Sequence, residues 1–301
     1  MADWNTVAYR GISALVRMLG SIPRPLACFL ADGLGLFWYR VDRRHREIAL
    51  TNLNRAFGDE MSPQAIRRLE RRVFQQLARV LFELGWYRRA NLQQLQDAVR
   101  IDGLSHYRSA AARGKGVLAL TCHLGAWEYL SIAGTMVDAR INVLYRPLSY
   151  PPLERFFRES RSRFGARLIP AAPSMRKILS ALHRGESVLM LMDQNFDCHE
   201  GVFVDFFGHR ACTNKGMALL ARATEAPVLP VFMIRQGLGY TAEFGPEIPL
   251  IKTEDKTKDI EANTLAYNRA IEAVIRRYPE QWFWVHQRWK TRPYHPWPRQ
   301  V

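Results

Sequence analysis

Cysteine is scarce in this chain, and its spacing fits neither a metal cluster nor a set of disulfides. The 301 residues include four cysteines: Cys28, Cys122, Cys198 and Cys212. None belongs to a close CxxC pair, so we expect no zinc site from these cysteines and their histidine neighbours. No cleavable signal peptide is visible, and the unpaired spacing favours a reducing compartment that faces the cytoplasm.

Nucleotide-binding loops and long hydrophobic runs are also missing. The sequence contains neither GxGxxG nor a Walker loop, so it gives no support to a nucleotide cofactor, and we expect no cofactor. No run of about 20 apolar residues is present, which a helix needs to cross a bilayer. Acidic residues are outnumbered as well, 28 against 43 lysines and arginines, for a formal net charge of +15.

This excess of positive charge predicts an anionic partner. Nucleic acid, an anionic membrane surface, a phosphorylated substrate and an acidic protein all fit, although a basic surface with no binding role would give the same net charge. Apolar residues make up 48% of the chain, which excludes a disordered protein. The length allows one large α/β domain or two smaller ones.

The first 60 residues have the pattern of helices that contact a membrane. Residues 4–19 carry an apolar helical face interrupted by arginines, and Pro23 and Pro25 then break the chain. Residues 26–39 are mostly apolar and are followed by four arginines. We predict an interfacial or re-entrant pair of helices, with the arginines facing anionic lipid. The alternative is a pair of core helices followed by a basic segment.

Residues 61–301 have the pattern of an α/β domain. Ser62 and Pro63 begin an amphipathic helix, which we predict to extend to about Trp86. Strands and helices then alternate, which predicts right-handed crossovers and a largely parallel sheet flanked by helices. The predicted strands are 117–121, 141–145, 167–169, 188–192, 202–206, 228–234 and 240–244, and the predicted helices are 105–113, 126–137, 152–163, 174–184, 215–225 and 260–277.

The most informative stretch is 117–128, in which an unbroken apolar run leads to His123, Gly125 and Glu128. The run is typical of a strand covered on both faces, and its carboxyl end is where ligands bind in open α/β sheets. If Gly125 turns the chain, Glu128 can reach the imidazole and fix its tautomer for general base catalysis. Taken alone, the pair is better explained by a histidine that caps the next helix and a solvated glutamate.

Other polar residues are expected at the same edge of the sheet. Arg146 and Asp193 each follow a predicted strand, as His123 does, and three such coincidences predict a cleft. Arg161 and Arg163 end a predicted helix, where guanidinium groups can bind phosphate or stabilise an oxyanion. They would also be favourable at a helix C-terminus with no further role.

Two later stretches combine basic residues with other features. Lys215 follows Thr213-Asn214 at the start of a predicted helix, where backbone donors could hold an anion. Residues 279–290 mix aromatic and basic residues. Base stacking would explain that mixture, and so would a core strand that leads into a basic tail.

This ordered set of motifs resembles the bacterial late acyltransferases of lipid A biosynthesis, the lauroyl and myristoyl transferases of the lysophospholipid acyltransferase superfamily. The central motif is HxxxxD/E, here His123 to Glu128, and the resemblance runs from the N-terminal hydrophobic stretch to the C-terminal aromatic one. The other matching motifs are Asn52-Leu53, Ala56-Phe57, Tyr145-Arg146-Pro147, Arg161-Ser162-Arg163, Asp193-Gln194-Asn195, Phe206-Phe207-Gly208, Thr213, Pro279-Glu280-Gln281, Trp284, His286 and Arg288-Trp289-Lys290.

The resemblance implies a glycerol-3-phosphate acyltransferase-like fold and transfer of a fatty acyl chain from a thioester to a lipid hydroxyl. It implies that His123, held by Glu128, is the general base, and that Arg163 stabilises the oxyanion. No nucleophilic serine or cysteine is required, and Cys122 points to the opposite face of the strand from His123. The residues implied for substrate binding are Arg146, Arg161, Asp193, Asn195, Lys215 and Arg288.

The implied donor is acyl carrier protein, which is acidic, with coenzyme A as the alternative. The implied acceptor is a lipid A precursor or a related glycolipid or phospholipid at the cytoplasmic face of the bacterial inner membrane. The positive surface would then serve the donor and anionic lipid, and no nucleic acid is expected. Two alternatives stay open: a thioesterase, in which water replaces the acceptor hydroxyl, and a basic nucleic-acid-binding protein.

Overall fold

The alternating pattern after residue 99 produces a seven-stranded sheet covered by helices, and four longer helices precede it. The computed structural model describes residues 4–171 and 174–293. The helices are α1 (Trp4–Leu19), α2 (Arg24–Val41), α3 (Arg43–Phe57), α4 (Pro63–Arg89), α5 (Leu92–Asp97), α6 (Leu104–Ala111), α7 (Leu130–Met136), α8 (Pro151–Ser162), α9 (Met175–His183), α10 (Gly216–Thr224) and α11 (Lys256–Arg277). The strands are β1 (Val99–Asp102), β2 (Val117–Thr121), β3 (Ile141–Tyr145), β4 (Arg167–Pro170), β5 (Ser187–Leu191), β6 (Gly201–Phe206), β7 (His209–Asn214), β8 (Val228–Gln236) and β9 (Gly239–Phe244).

The strand order in the sheet is β1-β9-β8-β2-β5-β3-β4. All neighbouring pairs are parallel except β8 with β9. The prediction of a largely parallel sheet flanked by helices is therefore confirmed. Because β2, β5 and β3 are adjacent and parallel, their carboxyl ends lie side by side at one edge.

Among the strands, the sequence prediction missed β1 and β7. β1 was missed because it has four residues and two of them, Arg100 and Asp102, are charged and exposed. β6 was predicted, but it does not join the main sheet, since it pairs with β7 in a separate antiparallel hairpin. Phe207 and Gly208 form the turn with φ of 52° and 73°, the left-handed conformation that two-residue hairpin turns use.

The apolar run in β2 is unbroken because both faces of that strand are buried. Leu118 and Leu120 belong to one hydrophobic core, while Val117 and Ala119 belong to a second core on the other face. All five residues of β2 are buried. The strand that carries the histidine is thus held from both sides.

The N-terminal helices follow the predicted break at Pro23. No single helix among the described residues is long and apolar enough to cross a membrane. The pair α1 and α2 has the length and composition of a span, but the two helices are bent by 115° at the break between them. Both expose large apolar side chains, among them Trp4 and Phe29, which are 73% and 74% exposed. α3 contributes Leu53 to the main core, and the predicted domain boundary at residue 60 stays a prediction.

The helix predicted to begin at Ser62 is confirmed as α4. The Ser62 hydroxyl accepts a hydrogen bond from the backbone N–H of Ala65, and Pro63 occupies the first turn. The helix continues to Arg89, three residues beyond the predicted end.

Candidate active site

Gly125 turns the chain directly after His123, as predicted. Its φ is 63°, and a Cβ atom there would lie 2.0 Å from the carbonyl oxygen of Met233 on β8. The Gly125 N–H donates to the Gln281 carbonyl, and the Ala126 N–H donates to that of Met233. The turn is thus fixed on both sides, and only glycine combines this φ with this close approach.

The carboxylate that contacts His123 is Asp193, which follows β5. His123 Nδ1 lies 2.9 Å from Asp193 Oδ1, and the backbone N–H of His123 donates to Oδ2 at 3.0 Å. The indole N–H of Trp282 also donates to Oδ2, at 2.7 Å. The side chain of Asp193 is 2% exposed and that of His123 is 22% exposed. The buried carboxylate therefore holds the ring, and the ring remains within reach of a ligand.

The electrostatics of Asp193 favour its charged form. Burial alone would raise the pKa of this carboxyl, but the charge of His123 and the hydrogen bonds from His123 and Trp282 outweigh burial and lower the pKa below its usual value. With a charged carboxylate at Nδ1, the tautomer favoured for the neutral imidazole has its proton on that nitrogen and leaves Nε2 unprotonated.

The predicted contact between Glu128 and His123 is wrong. Glu128 instead binds Arg161 through two parallel hydrogen bonds, from Nε at 2.9 Å and from Nη2 at 2.7 Å. The reason is local geometry: after the Gly125 turn, residues 127–129 form a single 3₁₀ turn, and Asp193 already occupies Nδ1. Burial would lower the pKa of Arg161, but Glu128 outweighs it and raises that pKa.

The two arginines at the end of α8 have different environments. Arg161 is paired with Glu128, as described above, and its side chain is 24% exposed. The guanidinium of Arg163 donates to the Tyr87 carbonyl on α4. Partial burial, followed by the nearby charge of Arg88, lowers the pKa of Arg163. The role predicted for Arg163 stays a prediction.

The remaining predicted residues divide into edge positions and supporting contacts. Arg146 is exposed directly after β3, on the edge that carries His123. The Asn195 side chain exchanges two hydrogen bonds with Thr291, and its backbone N–H donates to the imidazole of His286 at 2.9 Å. Lys215 donates to the His199 carbonyl. Substrate binding by these three predicted residues stays a prediction.

Arg288 is placed differently from its prediction. Its side chain is fully buried, and its guanidinium donates to the Cys212 carbonyl and to the Thr213 hydroxyl. Burial lowers its pKa to about 10. The prediction that Arg288 contacts the substrate is wrong for this structure, because its buried side chain joins β7 to the C-terminal segment in the core.

The aromatic C-terminal stretch is a structural support, neither a strand nor a stacking surface. Trp282 and Trp284 are 1% and 0% exposed. Phe283 donates from its backbone N–H to the His123 carbonyl, and its ring centre lies 6.0 Å from that of the imidazole. Trp127 lies 5.4 Å from the imidazole and 6.3 Å from Phe283, so the three rings form one cluster. Sequence analysis missed these partners, although the concentration of aromatic residues in 279–290 marked the segment.

A cysteine nucleophile and a metal ion are two other chemistries to consider for these residues. Cys122 is fully buried, and burial raises its thiol pKa well above the usual value, which leaves little thiolate. Among the described residues, the one group with metal-ligand spacing is the exposed trio Asp197, Cys198 and His199. His123, with its imidazole partly exposed, is a group at this edge that can remove a proton.

Comparison with known proteins gives a consistent result. The family described as bacterial lipid A biosynthesis acyltransferase matches residues 4–291. The chain is 28% identical over 276 residues to a lipid A biosynthesis acyltransferase of Haemophilus influenzae, covering 91% of this chain and 85% of that protein. It is 28% identical to the lipid A biosynthesis lauroyltransferase of Escherichia coli, and the match covers 96% of this chain and 92% of that protein. It is 24% identical to the phosphatidylinositol mannoside acyltransferase of Mycobacterium tuberculosis, and the match covers 91% of this chain and 75% of that protein.

Proposed function

The chain belongs to the bacterial lipid A biosynthesis acyltransferase family and is an acyltransferase, and we propose that it acylates a hydroxyl of a lipid A precursor or a related membrane glycolipid. We propose acyl carrier protein as the thioester donor, because the net charge of +15 suits an acidic protein. The observation that carries the proposal is the contact of His123 with the buried carboxylate of Asp193.

In this mechanism, Asp193 keeps the His123 ring oriented with Nε2 facing the substrate. Nε2 removes the proton from the acceptor hydroxyl while the oxygen attacks the thioester carbonyl, which gives a tetrahedral oxyanion. Collapse of the oxyanion breaks the carbon–sulfur bond, and the imidazolium returns its proton to the departing thiolate. Asp193 stabilises the imidazolium between these two steps. No covalent acyl-enzyme is required.

The oxyanion requires a positive group that is fixed before the reaction. Arg163 is the residue expected from the family resemblance. Arg161 fits the observed contacts better, because it is fixed by Glu128, five residues after His123, through Nε and Nη2 only. Its Nη1 has no acceptor among the described contacts and can donate to the oxyanion.

We propose that the enzyme acts at the cytoplasmic face of the bacterial inner membrane. The apolar residues that α1 and α2 expose would lie in the interface, and the exposed Arg40 and Arg44 at the end of this pair would face anionic headgroups. A lipid acceptor could then reach the catalytic edge without leaving the membrane.

An acyl-transfer assay tests the proposal. Detergent-purified enzyme would receive labelled acyl-acyl carrier protein, or the coenzyme A thioester, with a panel of under-acylated lipids. Label in one lipid with wild type, and none with His123→Ala of unchanged circular dichroism, is the expected result. Labelled free fatty acid without labelled lipid would instead indicate a thioesterase. Salt-dependent DNA or RNA binding that His123→Ala leaves unchanged, without turnover, would indicate a nucleic-acid-binding protein.

A further inference from the structure

A cavity separate from the catalytic turn lies between α2, α4 and the turn that joins β8 to β9, with a volume of about 40 Å³. β8 is parallel to β2, so the cavity lies at the sheet edge that carries His123. Most of its wall is hydrocarbon, supplied by Leu19, Ile22, Ala27, Ala31, Phe82 and Trp86. One buried water needs roughly 10–15 Å³, so the cavity has room for the end of a hydrocarbon chain.

The charges around this cavity do not balance. Arg79 is paired through two hydrogen bonds with Asp32, and Arg235 is paired in the same way with Glu83. Arg24 has no carboxylate among its described contacts. The wall therefore carries one uncompensated positive charge.

Arg24 is held in position without an acidic partner. Its guanidinium lies 4.2 Å from the ring centre of Trp86 and 5.3 Å from that of Tyr240, and it donates to the Leu238 carbonyl. These cation–π contacts fix the group while leaving its charge available to an anion.

The start of α2 adds to the positive potential at the same place. Arg24 is the first residue of this 18-residue helix and the first turn contains no acidic residue, while Pro25 in that turn has no N–H to donate. Unpaired N–H groups at a helix start favour an anion. Leu26, Phe29 and Leu30 of α2 are exposed, so the part of a hydrocarbon chain that the cavity does not hold can lie on an apolar surface of the same helix.

We propose that this cavity, which we call the Arg24 cavity, is a second lipid site for an anionic amphiphile. A phosphate or carboxylate head would bind Arg24 and the start of α2, and the hydrocarbon chain would enter between Ala27 and Trp86. The proposal rests on the proposed function only in that the membrane would supply such a lipid.

Binding can be measured on the full-length enzyme in neutral detergent by native mass spectrometry. The probes are dodecyl phosphate, dodecanoate, uncharged dodecanol and inorganic phosphate. Wild type should retain an anionic amphiphile, and Arg24→Gln should weaken retention about tenfold or more, since a charged hydrogen bond is lost. Arg24→Lys, which keeps the charge, should retain most of the binding, and Ala27→Leu, which narrows the cavity, should reduce it. The control is Arg108→Gln, an exposed arginine on α6, away from the N-terminal helices, which should change nothing.

Each outcome decides something. Retention of dodecyl phosphate alone identifies a lipid phosphate, retention of dodecanoate alone identifies a fatty carboxylate, and retention of both supports the shared anionic chemistry. Equal retention of dodecanol, equal loss in Arg24→Gln and Arg108→Gln, or binding of inorganic phosphate with no gain from the chain would overturn the proposal. Because binding is measured without turnover, an inactive enzyme that retains the amphiphile refutes only the proposed function. An active enzyme without Arg24-dependent retention refutes only this site.

Discussion

Two buried carboxylates flank the same strand, β5, and have opposite surroundings. Glu186 precedes the strand and binds Arg184, Arg167 and Asn142 at 3.0–3.1 Å. Asp193 follows the strand and binds the imidazole and backbone of His123 and the indole of Trp282. Both side chains are about equally buried, at 1% and 2% exposed.

The partner residue, more than the burial, distinguishes a carboxylate that can only stabilise the fold from one that can assist a proton transfer. Arginine keeps its charge at any relevant pH, so the Glu186 network can only hold the strand ends together. Histidine gains and loses a proton near neutral pH, so the charge of Asp193 can be used during a reaction. Glu128 is intermediate, since it is paired with an arginine but lies at the catalytic edge.

The largest effect should come from Asp193→Asn. Loss of the charge removes the group that stabilises the imidazolium, so kcat for acyl transfer should fall roughly 10²–10⁴-fold. Glu186→Gln, measured in the same assay, should keep nearly full activity. Equal losses in the two variants would show that position on β5, and not the histidine partner, decides the role.

Lysine substitutions of the two arginines at the end of α8 test the role of the pair formed by Glu128 and Arg161. Arg161→Lys should lower kcat about 10²-fold, because lysine cannot keep two bonds to Glu128 and still offer a donor to the oxyanion. Arg163→Lys should have a smaller effect, since Arg163 contacts a backbone carbonyl on α4. The ratio of the two kcat values is the measurement, and a larger loss in Arg163→Lys would assign the oxyanion to Arg163.

Trp282→Phe should lower kcat about tenfold, because Asp193 loses a charge-assisted hydrogen bond. Loss of this donor should raise the pKa of Asp193, so activity on the acid side should disappear at a higher pH than in wild type. The matched control is Trp284→Phe. Trp284 packs against Trp282 at 4.5 Å and is equally buried, but its indole donates to the Pro279 carbonyl.

The pH–rate profiles of these two tryptophan variants distinguish positioning from packing. A packing defect would lower the thermal stability of both variants and leave both profiles unmoved. Identical profiles for Trp282→Phe and wild type would therefore contradict the positioning role of Trp282.

The smallest effect concerns stability alone. Glu186→Gln should lower the free energy of unfolding by about 1–2 kcal/mol near neutral pH, a discounted value because both arginines are about half exposed. The arginines lower the pKa of Glu186 from 4.5 to about 2. Its stabilisation is therefore present above pH 4.5 and is lost as the pH falls towards 2. Chemical denaturation of both proteins across that range should show their difference narrowing.

The parts of the fold that could be predicted are those that depend on local sequence. The unbroken apolar run of β2 and the turn at Gly125 follow from burial and from backbone sterics, so both were predicted correctly. The edge strand β1 was missed because its residues carry no comparable signal. The β6–β7 hairpin was missed because pairing within a sheet is a tertiary property.

The site was harder to predict, because its contacts join distant residues. Glu128 is five residues from His123, which made it the natural partner, whereas Asp193 is 70 residues away. Trp282 is 89 residues from Asp193, and nothing in sequence spacing brings them together. Arg288 was assigned to substrate binding from the family resemblance, and its carbonyl and hydroxyl acceptors became evident only from the packing.

The central claim, that Asp193 and not Glu128 orients His123, can be tested by ¹⁵N NMR of histidine-labelled enzyme, with the ring assigned from His123→Gln. The account predicts a proton on Nδ1 and an unprotonated Nε2 in wild type, ring signals that change in Asp193→Asn, and ring signals that are unchanged in Glu128→Gln. Ring signals that change in Glu128→Gln and stay the same in Asp193→Asn would contradict the claim.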